Sequence, residues 1–204
     1  MRGVEPWREA VWRSVPEGAR PERFAQRRAF LLEHVTPGDR VLDLGSGDGA
    51  FAAELAAAGC EVIAVDVAEE ALRRTRDRLP GVDARLAREG QALPLGEDAV
   101  DVVWIGETLE HVADVAGLLA DVRRVLRWGG RVLVTTPYHG RVSLAALALR
   151  GGIEEHFDPR ADHLRFFTSR TLREVLDDAG FPDAEVRAAG GPPLLRRALH
   201  AVAR

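Results

Sequence analysis

One stretch decides the fold of this chain: residues 41–50 have the sequence VLDLGSGDGA. An apolar run ends in a carboxylate, glycines follow at alternate positions, and a helical pattern begins after them. A strand, a glycine turn and a helix in this order build a ligand pocket at the carboxyl end of a strand. Gly45, Gly47 and Ala50 also satisfy the G-x-G-x-x-G/A pattern of dinucleotide sites, so the glycines alone leave the ligand open.

The charges around this turn favour a cationic ligand. A pyrophosphate binds backbone N–H groups and is repelled by nearby anions. Asp43 precedes the turn and Asp48 lies inside it, and two carboxylates in these positions attract a cation. S-adenosylmethionine carries a sulfonium and an ammonium and has no phosphate. We therefore expect this pocket to bind S-adenosylmethionine in preference to NAD.

Strands and helices alternate along the chain, which is typical of a parallel, doubly wound sheet. Apolar runs predict strands over 40–44, 61–65, 82–86, 100–105 and 131–136, and two late strands near 183–188 and 196–203. Helical patterns predict helices over 5–14, 22–35, 48–58, 68–79, 113–127 and 169–179. Gly129-Gly130 is predicted to turn the chain into the fifth strand.

Three local patterns give more detailed predictions. In the second helix, Arg23, Arg27 and Arg28 are expected on the polar side. The arginines at 73, 74, 76 and 78 are expected on a solvated helix face. Thr171 through Glu174 has the spacing of a capping box for the last helix.

These landmarks resemble the class I S-adenosylmethionine-dependent methyltransferases, in particular their small-molecule branch. The resemblance rests on VLDLGSGDG, EVIAVDVAEEAL, QALPLGEDAVDVVWIGETLEHV, RVLRWGGRVLVTTP and HLRFFTSRTLREVLDDAGF, and it covers residues 37–181. It implies a single Rossmann-like α/β domain over residues 1–204 with a mostly parallel seven-stranded sheet. The implied strand order is 3-2-1-4-5-7-6, with the last strand antiparallel.

The resemblance also implies which residues hold the cofactor. Asp43 would hold the methionine end, and Asp66, about twenty residues beyond Gly45, would accept hydrogen bonds from the ribose hydroxyls. Glu89 would meet the adenine amino group, where the family usually has Asp. The predicted cofactor residues are Asp43, Gly45, Ser46, Gly47, Asp48, Asp66, Val67, Glu89, Gly90, Gln91, Gly106 and Glu107. Structural roles stay open, since Asp43 and Asp66 could cap a turn or helix and Glu89 could be solvated.

Glu107 and His111 follow the fourth strand and are the candidate catalytic residues. Glu107 would face the ammonium of the cofactor or the acceptor, and Gly106 would let the backbone approach the ligand. Imidazole accepts a proton near pH 7, so His111 could be the base for an acceptor hydroxyl or amine. His111 could instead pack at the start of a helix. We favour the packing role slightly, because methyl transfer depends more on alignment than on proton removal.

Residues 138–167 interrupt the alternation and form an insert far longer than a typical connection. Aromatic and ionisable side chains on a loop above a cofactor pocket indicate acceptor recognition, so the insert is predicted to be an acceptor cap. The predicted acceptor residues are Tyr138, His139, His156 and His163. With Asp158 and Asp162 these histidines raise a metal alternative, but their spacing matches no compact ligand motif and no metal is expected. The helices within residues 1–36 are expected to cover the pocket or to pack on the sheet.

Composition limits the classes of function. A chain of 204 residues fits one domain, and its net charge of −4 argues against a general nucleic-acid binder. A single cysteine, Cys60, and the lack of a signal-peptide or membrane-span pattern favour a cytoplasmic protein. The oligomeric state is not predicted.

The expected function is methyl transfer from S-adenosylmethionine, leaving S-adenosylhomocysteine, to an O, N or C nucleophile of a small molecule. Two alternatives stay open. One is a noncatalytic cofactor- or partner-binding protein on the same fold. The other is an NAD-dependent oxidoreductase, because the glycine pattern alone is compatible with it.

Overall fold

A computed structural model of the chain describes residues 7–158, 161–192 and 196–204. The helices are α1 (Trp7–Ser14), α2 (Phe24–Glu33), α3 (Ala50–Ala57), α4 (Glu69–Arg78), α5 (Val115–Val125), α6 (Arg141–Leu149), α7 (Ile153–His156) and α8 (Ser169–Asp178). The strands are β1 (Arg40–Leu44), β2 (Glu61–Asp66), β3 (Asp83–Leu86), β4 (Val100–Gly106), β5 (Leu126–Pro137), β6 (Glu185–Ala189) and β7 (Ala198–Ala203). The first two residues of the helix predicted over 5–14 lie outside the described residues. Within the described residues, none of the helices combines the length and the apolar character needed to cross a membrane.

The seven strands form one sheet in the order β3-β2-β1-β4-β5-β7-β6. The first five strands pair in parallel, and β7 is antiparallel to both β5 and β6. This arrangement confirms the predicted fold class and strand order. The order of the strands reverses between β1 and β4, and open α/β sheets bind their ligands in the crevice at such a point.

Helices cover both faces of the sheet, which explains why its central strands are apolar throughout. On β1, Leu42 and Leu44 belong to one core cluster and Val41 belongs to the other. On β4, Val103 and Ile105 lie in the first cluster, and Trp104 lies in the second. A strand that is buried on both faces has no polar side to alternate with, and so its sequence is a continuous apolar run.

The predicted start of the fifth strand and the predicted capping box of the last helix are both wrong. β5 does not begin after Gly129-Gly130 but runs through them from Leu126. Gly129 has a φ of +75° and the register with β4 shifts nearby, so the glycines distort the strand without ending it. The capping box of α8 consists of Thr168 and Thr171, whose side chains each accept the other's backbone N–H, at 3.2 and 2.9 Å.

α2 buries an arginine that was predicted to lie on its polar side. Arg27 is only 4% exposed, because it lies one turn before the fully buried Leu31 on the same helix face. Its Nε donates to Thr135 Oγ1 at 3.2 Å, and its guanidinium lies 4.5 Å from the centre of the Phe51 ring. The prediction for Arg27 is therefore wrong: this cation forms part of the inner layer between α2 and the sheet.

We expect Arg27→Ala to lower the free energy of unfolding by about 1–3 kcal/mol, because it leaves the buried hydroxyl of Thr135 without this partner. The neighbouring Arg28→Ala is the matched control. Arg28 forms an exposed ion pair with Glu54, and such pairs contribute at most about 1 kcal/mol. Urea denaturation measures the free energy of unfolding of both variants. Equal losses in the two variants would contradict the structural role of Arg27.

Candidate functional site

The glycine turn after β1 is held tightly between β2, α1 and the end of β4. Gly45 N–H donates to Val65 O at 2.8 Å, and both Gly45 and Gly47 have positive φ values, 76° and 57°. A Cβ atom on Gly45 would collide with the Thr108 side chain, and one on Gly47 would collide with the Trp12 ring. The turn therefore requires glycine for its backbone conformation and for the close approach of these neighbours.

Asp66, at the end of β2, fixes the conformation of the turn. Its Oδ2 accepts the N–H of Gly47 at 2.9 Å, and its Oδ1 accepts the N–H of Ala68 at 3.0 Å. Ala68 is itself the N-cap residue of α4, so Asp66 orders the backbone just before the helix and does not cap it, unlike the capping role left open by the sequence. Each carboxylate oxygen has a second lone pair, so Asp66 retains the capacity to accept further hydrogen bonds from a ligand. Burial raises the pKa of Asp66.

Asp43 is the buried carboxylate that points to a cationic ligand. It is 2% exposed, and its Oδ2 has no hydrogen-bond partner among the described residues. Burial, followed by the charge of Asp66, raises the pKa of Asp43 to about 7. The hydroxyl of Ser46, in the same turn, is also buried without a partner among the described residues. Buried polar atoms of this kind are costly unless a ligand or water satisfies them.

Asp48 has a different environment from the one its sequence position indicated. Its Oδ1 accepts the N–H of Ala50 at the start of α3, and its Oδ2 forms an ion pair with Arg78. Arg78 neutralises this charge, so Asp43 and Asp48 do not act as a pair toward a ligand. The prediction of a solvated face is wrong for Arg74, whose side chain is only 10% exposed, whereas Arg73, Arg76 and Arg78 are exposed as predicted.

The end of β4 carries an ionic cluster that the sequence did not indicate. Glu107 has a positive φ of 53°, and its Oε2 accepts a hydrogen bond from Arg23 Nη2 at 3.0 Å. Its Oε1 is buried without a partner among the described residues. Gly106 gives room to the guanidinium of Arg27, with which a Cβ atom would collide. Glycine at position 106 therefore allows Arg27 to pack closely. The sequence had indicated a different role, in which Gly106 lets the backbone approach the ligand.

A cavity of about 700 Å³ opens at the carboxyl edge of the sheet. Its lining includes Val67 and Glu89 with three neighbours at the end of β3, namely Leu86, Ala87 and Arg88. The lining also includes Trp7 and Arg8 from α1, His111 and Ala113, and Ala161, Asp162 and Leu164 from the insert. The size lies within the usual range for small-molecule sites.

Two predicted cofactor residues, Val67 and Glu89, therefore line this cavity. Glu89, Gly90 and Gln91 are all exposed. The N–H of Gln91 closes the turn by donating to Arg88 O at 3.1 Å. Leu86 was missed by the sequence reasoning. It is 44% exposed although it is apolar, and its place at the carboxyl end of β3 was the available signal.

His111 lies at the edge of this cavity, in a 3₁₀ turn over Leu109–His111. Its Nδ1 is 3.0 Å from Asp162 O, and a carbonyl only accepts, so Nδ1 carries the proton. Burial lowers the pKa of His111, which keeps the ring neutral near pH 7. Arg8 Nη2 donates to His111 O at 3.0 Å. The residue therefore connects α1, the 3₁₀ turn and the insert.

α1 lies against the glycine turn and against the start of α4. Besides Trp12 on Gly47, the Glu9 carboxylate accepts the N–H groups of Glu69 and Glu70 at the start of α4. These contacts satisfy helix-terminal donors that otherwise lack partners. Of the two roles left open for the N-terminal helices, α1 shows the covering position, and α2 packs on the sheet through Leu31.

The insert returns to the site through its last residues. The N–H groups of Leu164 and Arg165 both donate to Glu110 O, at 2.7 and 3.0 Å. The His163 ring makes an edge contact with His111, with 4.8 Å between the ring centres. The predicted acceptor residue His163 therefore lies beside the candidate catalytic residue His111.

The other predicted acceptor residues occupy different positions. Tyr138 N–H donates to Arg197 O, just before β7, at 3.1 Å. His139 N–H donates to Phe167 O at 3.1 Å, and this second bond joins the two ends of the insert. The described residues that line the cavity include neither Tyr138 nor His139. His156 belongs to α7, and its side chain falls outside the part of the chain that the structure describes.

The fold and the site together define a class of protein, and comparison with known proteins identifies it. A family model described as "Methyltransferase domain" matches residues 17–186. The chain therefore belongs to this family of class I S-adenosylmethionine-dependent methyltransferases, as its sequence resemblance predicted. S-adenosylmethionine is the cofactor that the family and the fold imply.

Individual relatives agree with this assignment. A Mycobacterium tuberculosis protein, named a probable S-adenosylmethionine-dependent methyltransferase, is 30% identical over 187 residues, which are 90% of this chain and 65% of the relative. A malonyl-[acyl-carrier protein] O-methyltransferase of Methylococcus capsulatus is 32% identical over 168 residues, 78% of this chain and 59% of the relative. The chain thus spans less than two thirds of the length of both. An S-adenosylmethionine-dependent methyltransferase structure from Mesorhizobium loti shares the fold, with a TM-score of 0.72 at 23% identity over 92% of this chain and 98% of that one.

Proposed function

We propose that this protein transfers a methyl group from S-adenosylmethionine to an O, N or C nucleophile of a small-molecule acceptor. One observation carries the proposal: Asp43 and Glu107, at the ends of β1 and β4, keep buried carboxylate oxygens without partners among the described residues. The ammonium of the cofactor would supply the missing donors. When bound, S-adenosylmethionine supplies a methyl group on a positively charged sulfur, which is a good leaving group.

The neighbouring residues suit the other parts of this cofactor. Asp66 has free lone pairs for the ribose hydroxyls, and the exposed apolar side chains of Val67 and Leu86 line the cavity, which suits the adenine ring. Glu89 lies beside them for the adenine amino group. The protein would then act chiefly by alignment, because it holds the nucleophile in line with the methyl carbon and the sulfur.

The insert over residues 138–167 is proposed to cover the acceptor. Its return segment is hydrogen-bonded to Glu110 and contributes Asp162 and Leu164 to the cavity wall. The relatives do not select one acceptor: the names of two of them specify malonyl-[acyl-carrier protein] and demethylmenaquinone, which are chemically different. The class of nucleophile is therefore left as O, N or C.

Formation of S-adenosylhomocysteine over a panel of hydroxyl, amine and carbon acceptors tests this function. We expect product with at least one class of acceptor and none without acceptor. The alternative, a noncatalytic protein on the same fold, predicts that S-adenosylhomocysteine binds but that no acceptor in the panel is methylated.

The affinity for S-adenosylhomocysteine is expected to rise with pH through about pH 7, the pKa of Asp43. Below this pH the carboxyl is protonated, and binding of the ammonium must displace the proton. The affinity then falls by up to about tenfold for each pH unit. Above the pKa the carboxylate is already ionised and the affinity levels off. Calorimetric titrations with S-adenosylhomocysteine at several pH values below and above pH 7 measure this change in affinity.

Asp43→Asn is the matched variant, since it keeps the shape of the side chain and removes its titration. We expect weaker binding whose pH dependence through this range is lost. A pH dependence of equal size in Asp43→Asn would show that another group controls it, and the proposed contact with the ammonium would then be wrong.

A further inference from the structure

Three side chains at the edge of the cavity have the composition of a metal site. Glu110, His111 and His163 each bring one ligand atom within 4.8 Å of the others. The sequence interpretation expected no metal, because the histidines and aspartates of the insert match no compact motif, and it did not consider Glu110 and His111 as partners of His163. The fold brings them together: the backbone after His163 is hydrogen-bonded to Glu110 O.

Glu110 supplies a buried oxygen that lacks a partner. The residue is 1% exposed, and its Oε2 accepts a hydrogen bond from Thr136 Oγ1 at 3.0 Å. Its Oε1 is buried with no hydrogen-bond partner among the described residues. Burying such an oxygen costs free energy unless a donor or a cation satisfies it.

The contacts of His111 match those of a metal-binding histidine. The Nδ1–H donates to Asp162 O at 3.0 Å, and the Asp162 carboxylate Oδ2 lies 3.3 Å from the same nitrogen. Groups in these positions fix the orientation and the tautomer of histidines that bind metals through the other nitrogen. In the neutral ring, Nε2 then keeps its lone pair for an ion.

We propose that Glu110, His111 and His163 bind one divalent transition-metal ion of the Zn²⁺ type. Two imidazoles and one carboxylate are one of the ligand sets of catalytic zinc sites and of open transition-metal sites, and they leave positions for an external ligand. The ligand atoms lie within 4.8 Å of one another, and any closer approach that the ion requires would draw the His163 ring toward His111. His163 is half-buried on the return segment of the insert, which leaves room for this adjustment.

The position of the ion would select the nucleophile, and this step rests on the proposed function. His111 lines the cavity, so an external ligand would approach from the acceptor side. An acceptor hydroxyl bound to the ion would lose its proton to solvent more easily, because a bound cation lowers the pKa of its oxygen ligand. The oxygen then attacks the methyl carbon, and the electron pair of the broken carbon–sulfur bond stays on sulfur. The acceptor class would be one with a hydroxyl nucleophile.

Metal titrations of the whole chain test the site without any cofactor. After treatment with a chelator, Co²⁺ binding is followed by visible absorption and Zn²⁺ binding by calorimetry. We expect one ion per chain. Glu110→Gln and His163→Ala should each weaken binding by more than the roughly 10–100-fold that outer groups contribute, and Asp162→Asn should weaken it within that range. His34→Ala is the matched control, since His34 binds Phe30 O through Nδ1 at the end of α2, and it should leave the affinity unchanged.

Two results would overturn the proposal: the absence of stoichiometric binding, or an affinity in His163→Ala equal to that of the parent protein. His163 is partly exposed, so its variant is expected to fold, and circular dichroism checks this for each protein. S-adenosylhomocysteine is titrated into the same samples. Failure of that ligand to bind would count against the proposed function, whereas failure of Zn²⁺ to bind would count only against the metal site.

Discussion

Replacing residues 141–156 by a short glycine–serine linker is expected to abolish methyl transfer while leaving the affinity for S-adenosylhomocysteine unchanged. α6 buries none of its residues although its sequence is apolar, and Val142 and Leu149 are 48% and 90% exposed. We expect this apolar surface to help hold the acceptor. Loss of acceptor positioning removes the alignment on which the reaction depends.

The geometry of the insert makes this replacement feasible. The rings of His139 and Phe157, which flank the deleted residues, lie 6.4 Å apart, so a short linker can join the two ends. The return segment that contacts Glu110 is kept. Thermal unfolding establishes that the variant is folded. If its cofactor affinity collapses together with its activity, or if methyl transfer persists, the insert is not an acceptor cap.

His111→Ala is expected to lower the turnover rate by about 10²–10⁴-fold, the usual contribution of a general base, with little change in cofactor affinity. The sequence favoured a packing role. The active role is expected because His111 lies on the cavity wall with Nδ1–H fixed by Asp162 O, which leaves Nε2 for a proton or an ion. If His111 is the base, the loss should be smaller at high pH, where the acceptor ionises unaided.

Chelation separates the two active roles of His111. A metal-dependent enzyme loses activity with EDTA and regains it with Zn²⁺, whereas an enzyme with a histidine base does neither. A turnover rate within about threefold of the parent protein is a much smaller loss than the removal of a base causes. That result, together with reduced thermal stability, would establish the packing role and contradict this prediction.

The fold was predictable because its signals are local. The apolar runs at β1, β2 and β4 are long enough to mark strands that are buried on both faces, and the glycine turn marks where β1 ends. The error at Gly129-Gly130 has the same origin. A glycine pair usually marks a turn, and only the pairing of β5 with β4 holds these residues in the strand.

The site was predictable only where one segment defines it. Asp43 and Asp66 end adjacent strands, so their nearness follows from the strand order. The partners Arg23 of Glu107 and Arg78 of Asp48 come from other elements, and no spacing reveals them. Arg27 is an intermediate case. It lies one helical turn before Leu31, which indicates a buried position, but its charge argued against burial. The approach of His163 to Glu110 depends on the path of the insert and could not be predicted from the sequence.

Calorimetric titration with S-adenosylhomocysteine and with NADH, on the parent protein and on Asp66→Ala, tests the central claim most directly. We expect S-adenosylhomocysteine to bind and NADH not to bind. Asp66→Ala should weaken S-adenosylhomocysteine binding by about 1–3 kcal/mol, the cost of leaving buried hydrogen-bonding groups without partners. Binding of NADH alone, or no binding of S-adenosylhomocysteine at millimolar concentration, would contradict the account, and an unchanged affinity in Asp66→Ala would remove that residue from the site.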